Sequence, residues 1–299
     1  MMRLKHKSIG DRIFELCNGL FMIILAVVML YPILNTLAVS FNDATDTIRG
    51  GIYLWPRQFS LYNYEVIWQT ANLGVAFGVS VARTVIAAIL NVFLTAMVAY
   101  TLIRQDFVLR RFVTIVFVLT MYVNAGLIPG YLLNRSLGLL NNFWVYILPG
   151  LVSAFDLIIV RTYMKTIPGS LIESAQIDGA GEFTIFIKVI LPLAMPVLAT
   201  VALFVAVAQW NSWFDTYIYC GSEENLTTLQ YELMKALSTS MNQSGSTANV
   251  QNASQAANQV TPTSIRAAIT IVAAVPILCV YPFLQKYFVQ GMTLGSVKE

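Results

Sequence analysis

The sequence is short of charge. Asp, Glu, Lys and Arg make up 11% of its 299 residues, whereas soluble domains carry about 25%. So few charges cannot cover a soluble surface at this length, and the composition excludes a soluble globular class. Histidine occurs once, as His6, which excludes a histidine-based triad and a His-rich metal site. Cys17, Cys220 and Cys279 stand too far apart to read as a metal set or a disulfide framework. No G-x-x-x-x-G-K-[ST] run is present, so the chain has no phosphate-cradling loop of its own. The net charge of +3 is small and no basic block reads as a nucleic-acid arm, so nucleic acid is not an expected partner. The first apolar run is about twenty residues long and has no small-x-small cleavage site, so it reads as a membrane span.

What is abundant is apolar sequence, at 57% of the chain. The expected fold class is all-α and integral to the membrane, with membrane lipid as its surroundings and six transmembrane helices at about 18–40, 73–103, 112–132, 143–164, 191–214 and 265–283. These lie in one membrane domain, 16–284, between short tails at 1–15 and 285–299. Pro32 predicts a kink in the first span, and Asn124, Gly126 and Pro129 a bend in the third. Residues 41–72 read as a loop with an interfacial segment at 61–68. Residues 218–264 form a second long polar loop. Its part at 226–237 has an amphipathic helical pattern, and 238–263 is a low-complexity Ser/Asn/Gln/Ala stretch. No internal repeat or second domain is evident.

Basic residues orient the spans. With the N-terminus inside, Arg3, Lys5, Lys7, Arg12, Arg104, Arg110, Arg111, Arg161, Lys165, Lys188, Lys286 and Lys298 fall on the cytoplasmic side. Only Arg49, Arg57, Arg135, Lys235 and Arg266 fall outside, and Arg83 lies within the second span. The bias follows the positive-inside rule. Both tails and the stretch between the fourth and fifth spans are then cytoplasmic.

That stretch, 166–196, is the most polar run in the middle of the chain. It reads as two short helices. Thr166 is placed to cap the first and Pro168 sits in its opening turn. Asp178-Gly179 ends it, because Gly179 takes a positive φ at little steric cost. Phe183, Ile187 and Ile190 then share one side of a second helix. Leu171, Ile172, Ala175 and Ile177 form an apolar ridge suited to a partner's groove. Ser174, Ala175, Gly179 and Ala180 allow close backbone approach, and Glu173 and Asp178 can pair with basic residues at the rim. A solvated loop joining two spans is the plainer reading of the same composition.

Glu173-Ser174-Ala175, three residues, Gly179, nine residues, then Val189-x-Leu191-Pro192 resembles the EAA signature of ABC-importer permeases. Ser174 for Ala and Val189 for Ile are small departures that keep size. The Trp210-Asn211-Ser212-Trp213-Phe214 run, Leu229-Gln230-Tyr231, the ending from Tyr281 to Phe288 with Gly291, and the Gly295-Ser296-Val297-Lys298 tail are similar to the carbohydrate-uptake branch. More narrowly, they resemble permeases of the oligosaccharide and polysaccharide systems of Gram-positive bacteria. The resemblance implies the type I importer fold and a bacterial plasma membrane. It also implies that Leu171, Ile172, Glu173, Ser174, Ala175, Ile177, Asp178, Gly179, Ala180 and Phe183 form a coupling loop docked on cytoplasmic ATPases. The implied partners are a second homologous permease subunit, two ABC ATPase subunits and an extracellular solute-binding lipoprotein that delivers an oligosaccharide. The chain itself is then no enzyme and needs no cofactor or metal. ATP and Mg belong to the ATPase subunits.

Polar groups inside spans are costly unless they face protein or water. Asn91, Asn124, Asp156, Gln209, Asn211 and Asp215 therefore either bond between helices or line the path. Trp210 and Trp213, three apart, can share a helical face and stack on sugar. An aromatic belt and core packing are the other readings of that pair. Arg83 either snorkels to headgroups or faces the path. A rival reading is an ion-driven secondary transporter of a small polar solute, with Asp156 or Asp215 as the ion site. A membrane-embedded hydrolase lacks any nucleophile and base arrangement.

Overall fold

The structure, a computed structural model, describes residues 9–70, 73–244, 261 and 263–279. The last residues of the expected sixth span, the C-terminal tail, most of the N-terminal tail and 245–260 lie outside the described residues. The described residues are helical, with one isolated bridge, Asn42 to Phe59, as their only β-pairing. They divide into two units: those of Met1–Ala71 with those of Lys235–Val272, and those of Asn72–Met234 with those of Ala273–Glu299.

In the first unit, α1 (Ile9–Ser40) is one helix with Pro32 inside it, and its apolar side chains are exposed along nearly all its length. Such a helix has no core to face and suits a lipid or partner environment. The chain after it is bound by polar groups. Asp43 caps α2 (Ala44–Thr47) by accepting from the Thr45 and Asp46 backbone N–H groups. Asn42 Nδ2 and Arg57 Nε both donate to Asp46 Oδ2 at 3.0 Å. Asn63 Nδ2 donates to the Ser40 and Asn42 carbonyls, at 3.0 and 2.8 Å. Asn63 belongs to α3 (Tyr62–Thr70), which falls over the segment read as interfacial.

The second unit holds the core. Its axis is α4 (Leu73–Ile103), packed along α10 (Leu191–Asn211) and α7 (Ala154–Met164). Small residues on α4, among them Ala76, Ala87, Ala96 and Ala99, are almost fully buried. Small side chains let helices approach closely, which is how membrane helices gain contact where lipid supplies no hydrophobic drive. The span expected at 112–132 is two helices, α5 (Arg110–Tyr122) and α6 (Leu127–Ser136). Gly126, at φ 87°, lies between them, and its N–H donates to Asn124 Oδ1 at 2.8 Å. The span expected at 143–164 is also broken, with 143–150 and α7 meeting at 51°. Among the described residues, three helices are long and apolar enough to cross a membrane, or four with that bent pair counted as one.

Between α7 and α10 lie α8 (Gly169–Ile177) and α9 (Glu182–Ile185). A five-residue π turn, Phe186–Ile190, joins α9 to α10, so 182–211 runs as one helix. Pro192 lacks the N–H that would close the ladder there, and a π turn absorbs the resulting offset. After α10 come α11 (Phe214–Tyr219), α12 (Leu229–Ser244) and α13 (Thr263–Cys279). The first residues of the stretch read as low complexity, up to Ser244, are therefore helical.

Candidate functional site

The hairpin of α8 and α9 is built by local chemistry. Thr166 does not cap α8: its hydroxyl donates back to the Tyr163 carbonyl at 2.8 Å. The cap position is Pro168, with an extended ψ of 127°, because α7 runs to Met164 and draws Thr166 into its closing turn. At the other end, the Gly179 N–H donates to the Gln176 carbonyl and the Ala180 N–H to that of Ala175, each at 3.0 Å. With Gly179 at φ 80°, this is a Schellman closure, which satisfies the last helical carbonyls and turns the chain back.

Burial divides the expected docking ridge. Ile172 is buried, and Ala175 and Ala180 pack against the core. Ile172 and Ala175 are three apart and share the inward face. Leu171, Ile177 and Phe183 point outward, at 41%, 87% and 66% exposed. Glu173, Ser174, Asp178 and Gly179 are exposed as well. The outward apolar face is thus Leu171, Ile177 and Phe183, while Ile172 and Ala175 root the hairpin.

A carboxylate that the sequence reading passed over holds this hairpin in place. Glu182 Oε2 accepts from the Tyr100 hydroxyl at 2.6 Å, and Oε1 accepts from Arg104 Nη2 at 2.8 Å and Gln176 Nε2 at 3.1 Å. Glu182 thereby joins α8, α9 and the end of α4. The ring of Phe186 continues the joint, 5.6 Å from Tyr100 and 5.9 Å from Phe93 by centroid. The only signal in the sequence was an acidic residue opening a helix after the Gly179 turn.

The polar groups of the spans separate into different roles. Arg83 does not snorkel. It is 1% exposed, its Nη2 lies 2.6 Å from Gln209 Oε1 and 2.5 Å from Asp215 Oδ2, and its guanidinium stacks over the Tyr146 ring at 4.4 Å. Gln209 Nε2 donates to the Tyr146 carbonyl. Asp156 is buried at the start of α7, where its N–H meets Ser153 Oγ, an N-cap arrangement. Asn91 Nδ2 donates to the Gly150 carbonyl at 3.1 Å.

Trp210 and Trp213 do not share a helical face. Helix α10 ends at Asn211 and Ser212 is extended. Trp210 is buried, edge-on to Phe77, and its Nε1 donates to the Ala273 carbonyl at 2.9 Å. Trp213 instead joins Phe214 and Tyr217, at centroid distances of 5.6 and 6.3 Å. Asn211 Nδ2 bonds back to Val207 of its own helix, and Asn124 is spent on the turn before α6.

Comparison with known proteins accords with this architecture. Residues 91–294 match the family model described as the inner membrane component of binding-protein-dependent transport systems. The chain is 35% identical to the polygalacturonan/rhamnogalacturonan transport system permease protein YtcP of Bacillus subtilis, over 96% of this chain and 99% of that protein. It is 29% identical to the arabinooligosaccharides transport system permease protein AraQ of Halalkalibacterium halodurans, over 92% and 93% of the two chains. Among solved structures it is similar to a chain of a bacterial ABC transporter involved in the import of the acidic polysaccharide alginate. The TM-score is 0.83 at 29% identity, covering 94% of this chain and 99% of that one. The family match over most of the chain and the near full-length likeness to a solved importer leave one assignment: the chain belongs to the family of inner membrane components of binding-protein-dependent transport systems, the permeases of ABC importers.

Proposed function

We propose that this chain is one of two permease subunits of an ATP-driven importer that takes up an oligosaccharide handed over by an extracellular binding lipoprotein. The α8–α9 hairpin is its ATPase-coupling element. The observation that carries this reading is the combination of an outward apolar face, Leu171, Ile177 and Phe183, with a polar root at Glu182. A face of this kind suits a partner's groove, and a root of this kind transmits displacement instead of letting the hairpin swing. The bias of basic residues supports a cytoplasmic hairpin, and relatives from Bacillus support a bacterial plasma membrane of the Gram-positive kind. Relatives named for carbohydrate transport support the substrate class.

In this scheme two ATPase subunits, holding ATP and Mg, grip the hairpins of this chain and of the second permease. When they close, the hairpin moves. Glu182 passes the motion to Tyr100 and Arg104 at the end of α4, and the unbroken 182–211 helix passes it to α10. Because α4 and α10 pack along each other, they tip together toward the outward-open state, and ATP hydrolysis returns them. The secondary-transport alternative needs a carboxylate open to an ion. Asp215 is engaged by Arg83, and Asp156 is buried beside Ser153.

The test is purification and uptake. An ABC ATPase is expected to travel with the complex. Glu173→Arg, on the exposed face, and Gly179→Pro, which can hold neither the positive φ nor the bond to Gln176, are expected to abolish uptake while helical content persists. Uptake that survives both substitutions and ATP depletion would sink the proposal.

A further inference from the structure

A cavity of about 590 Å³ lies in the second unit, lined by Tyr131, Tyr217, Tyr219 and Tyr231 with Asn141 and Ser222 among its polar groups. None of the site residues read from the sequence lines it. Its size falls within the range of small-molecule sites, about 300–1,000 Å³. Three features make it a built wall. Tyr131 and Tyr219 stand nearly parallel, 10° apart with centroids 6.1 Å apart. Asn141 is the one non-glycine with positive φ among the described residues, at 51°, and its N–H donates to the Tyr219 carbonyl at 2.9 Å. Backbone held in a sparse region where it meets a cavity points to a function for that turn. Gly221 packs so tightly that a Cβ there would lie 2.9 Å from the Tyr217 carbonyl oxygen.

The position matters as much as the lining. The hairpin precedes the start of α10, and one wall of the cavity, Tyr217 to Ser222, follows directly on its end, facing residues of 127–141. A 21-residue helix rises about 30 Å, so the cavity and the hairpin lie a membrane thickness apart. With the hairpin cytoplasmic, the cavity opens toward the outside.

We infer that this cavity is a subsite for an uncharged sugar unit at the outer entrance of the path. The inference rests on the oligosaccharide reading above and narrows it. Flat tyrosine rings offer faces to the C–H surfaces of a pyranose or furanose, and their hydroxyls, Asn141 and Ser222 offer partners for sugar hydroxyls. Among the described residues no Lys, Arg or His lines the cavity, and Glu223 and Glu224 follow Ser222 directly. A uronate carboxylate would lose hydration there without a cation in return. The site selects neutral units over acidic ones.

The complete importer with its binding protein, in proteoliposomes, tests this by ATP-dependent uptake of neutral trisaccharides (maltotriose, arabinotriose, xylotriose) and of acidic trigalacturonate. The transported sugar is expected to be neutral. Tyr217 is 57% exposed, so Tyr217→Ala gives up its ring contacts with Trp213 and Phe214 but removes no buried side chain. It is expected to lower the uptake rate at saturating binding protein about tenfold. Tyr217→Phe, which keeps the ring, restores most of it. Tyr122→Ala, exposed and outside the cavity, is the control and leaves uptake unchanged. Transport of trigalacturonate alone overturns the inference, as does full neutral-sugar uptake by a Tyr131→Ala/Tyr217→Ala double variant, while the importer reading stands. Absence of ATP-dependent uptake of any of these sugars by the unaltered complex overturns the importer reading itself.

Discussion

Arg83 and Asp215, 132 positions apart in sequence, form an ion pair in which the arginine side chain is buried, at 2% exposed, and the aspartate side chain is 22% exposed. Gln209 and the Tyr146 ring complete its shell. The pair ties α4 to the chain just past α10, and together with Trp210 it closes the end of the helix pair remote from the hairpin. Arg83, Gln209 and Asp215 thus fasten separate segments to one another.

Removing one partner of the pair leaves the other buried and uncompensated. Asp215→Asn is expected to destabilise the protein by about 3 kcal/mol, measured by denaturant titration in detergent. The double change Arg83→Met/Asp215→Leu is expected to recover most of that loss, because it removes both charges and their desolvation. A double variant as unstable as the single one would show that the pair does more than hold the helices together.

Glu182 makes a different prediction, because it is half exposed and its bonds are worth little in stability. Glu182→Ala is expected to change the unfolding midpoint by less than about 1 kcal/mol. Transport is expected to fall at least tenfold, with the ATPase activity no longer stimulated by loaded binding protein. The exchange Arg104→Glu/Glu182→Arg, which reverses the bridge, is expected to restore part of the stimulation. Full stimulation in Glu182→Ala would remove Glu182 from the path of force.

Trp210→Phe keeps the ring against Phe77 and deletes the bond to the Ala273 carbonyl. The expected cost is about 1 kcal/mol in stability, with the preference among sugars unchanged. A shift in sugar preference would return Trp210 to the list of path residues.

The polar segment after α1 predicts an acid response. The Thr45 hydroxyl bond to Asp43 and the Asn42 amide bond to Asp46, aided by Arg57, hold both carboxyls below their ordinary value. Their contribution is complete above the unfolded carboxylate range, near pH 4. It is lost as pH falls through the depressed native values. Protection of the 41–64 amides against hydrogen exchange, taken relative to the intrinsic rate at each pH, is expected to fall below about pH 4. Arg57→Gln is expected to move that onset to higher pH.

Much of the membrane character and of the hairpin was legible along the chain, because both depend on neighbours in sequence. A run of apolar residues, a Gly able to take positive φ at 179 and a proline at 168 act through local sterics and hydrogen bonds. The hairpin therefore closes where the sequence places its turn. Local reading failed where a local rule met a competitor. Thr166 was claimed by the preceding helix, and the three-residue spacing of Trp210 and Trp213 lost its meaning once α10 stopped at Asn211.

Composition and spacing by themselves determined that this chain is apolar, built on helical spans, and equipped with a polar hairpin ahead of the long helix that becomes α10. Only the tertiary structure decided that Glu182 roots that hairpin, that Arg83 meets Asp215, and that four tyrosines from three separate segments wall one cavity. The physical reason is range. Helix periodicity and turn geometry are set within a few residues, whereas an ion pair or a cavity requires groups scores of positions apart to meet, and no pattern along the chain encodes which of them will.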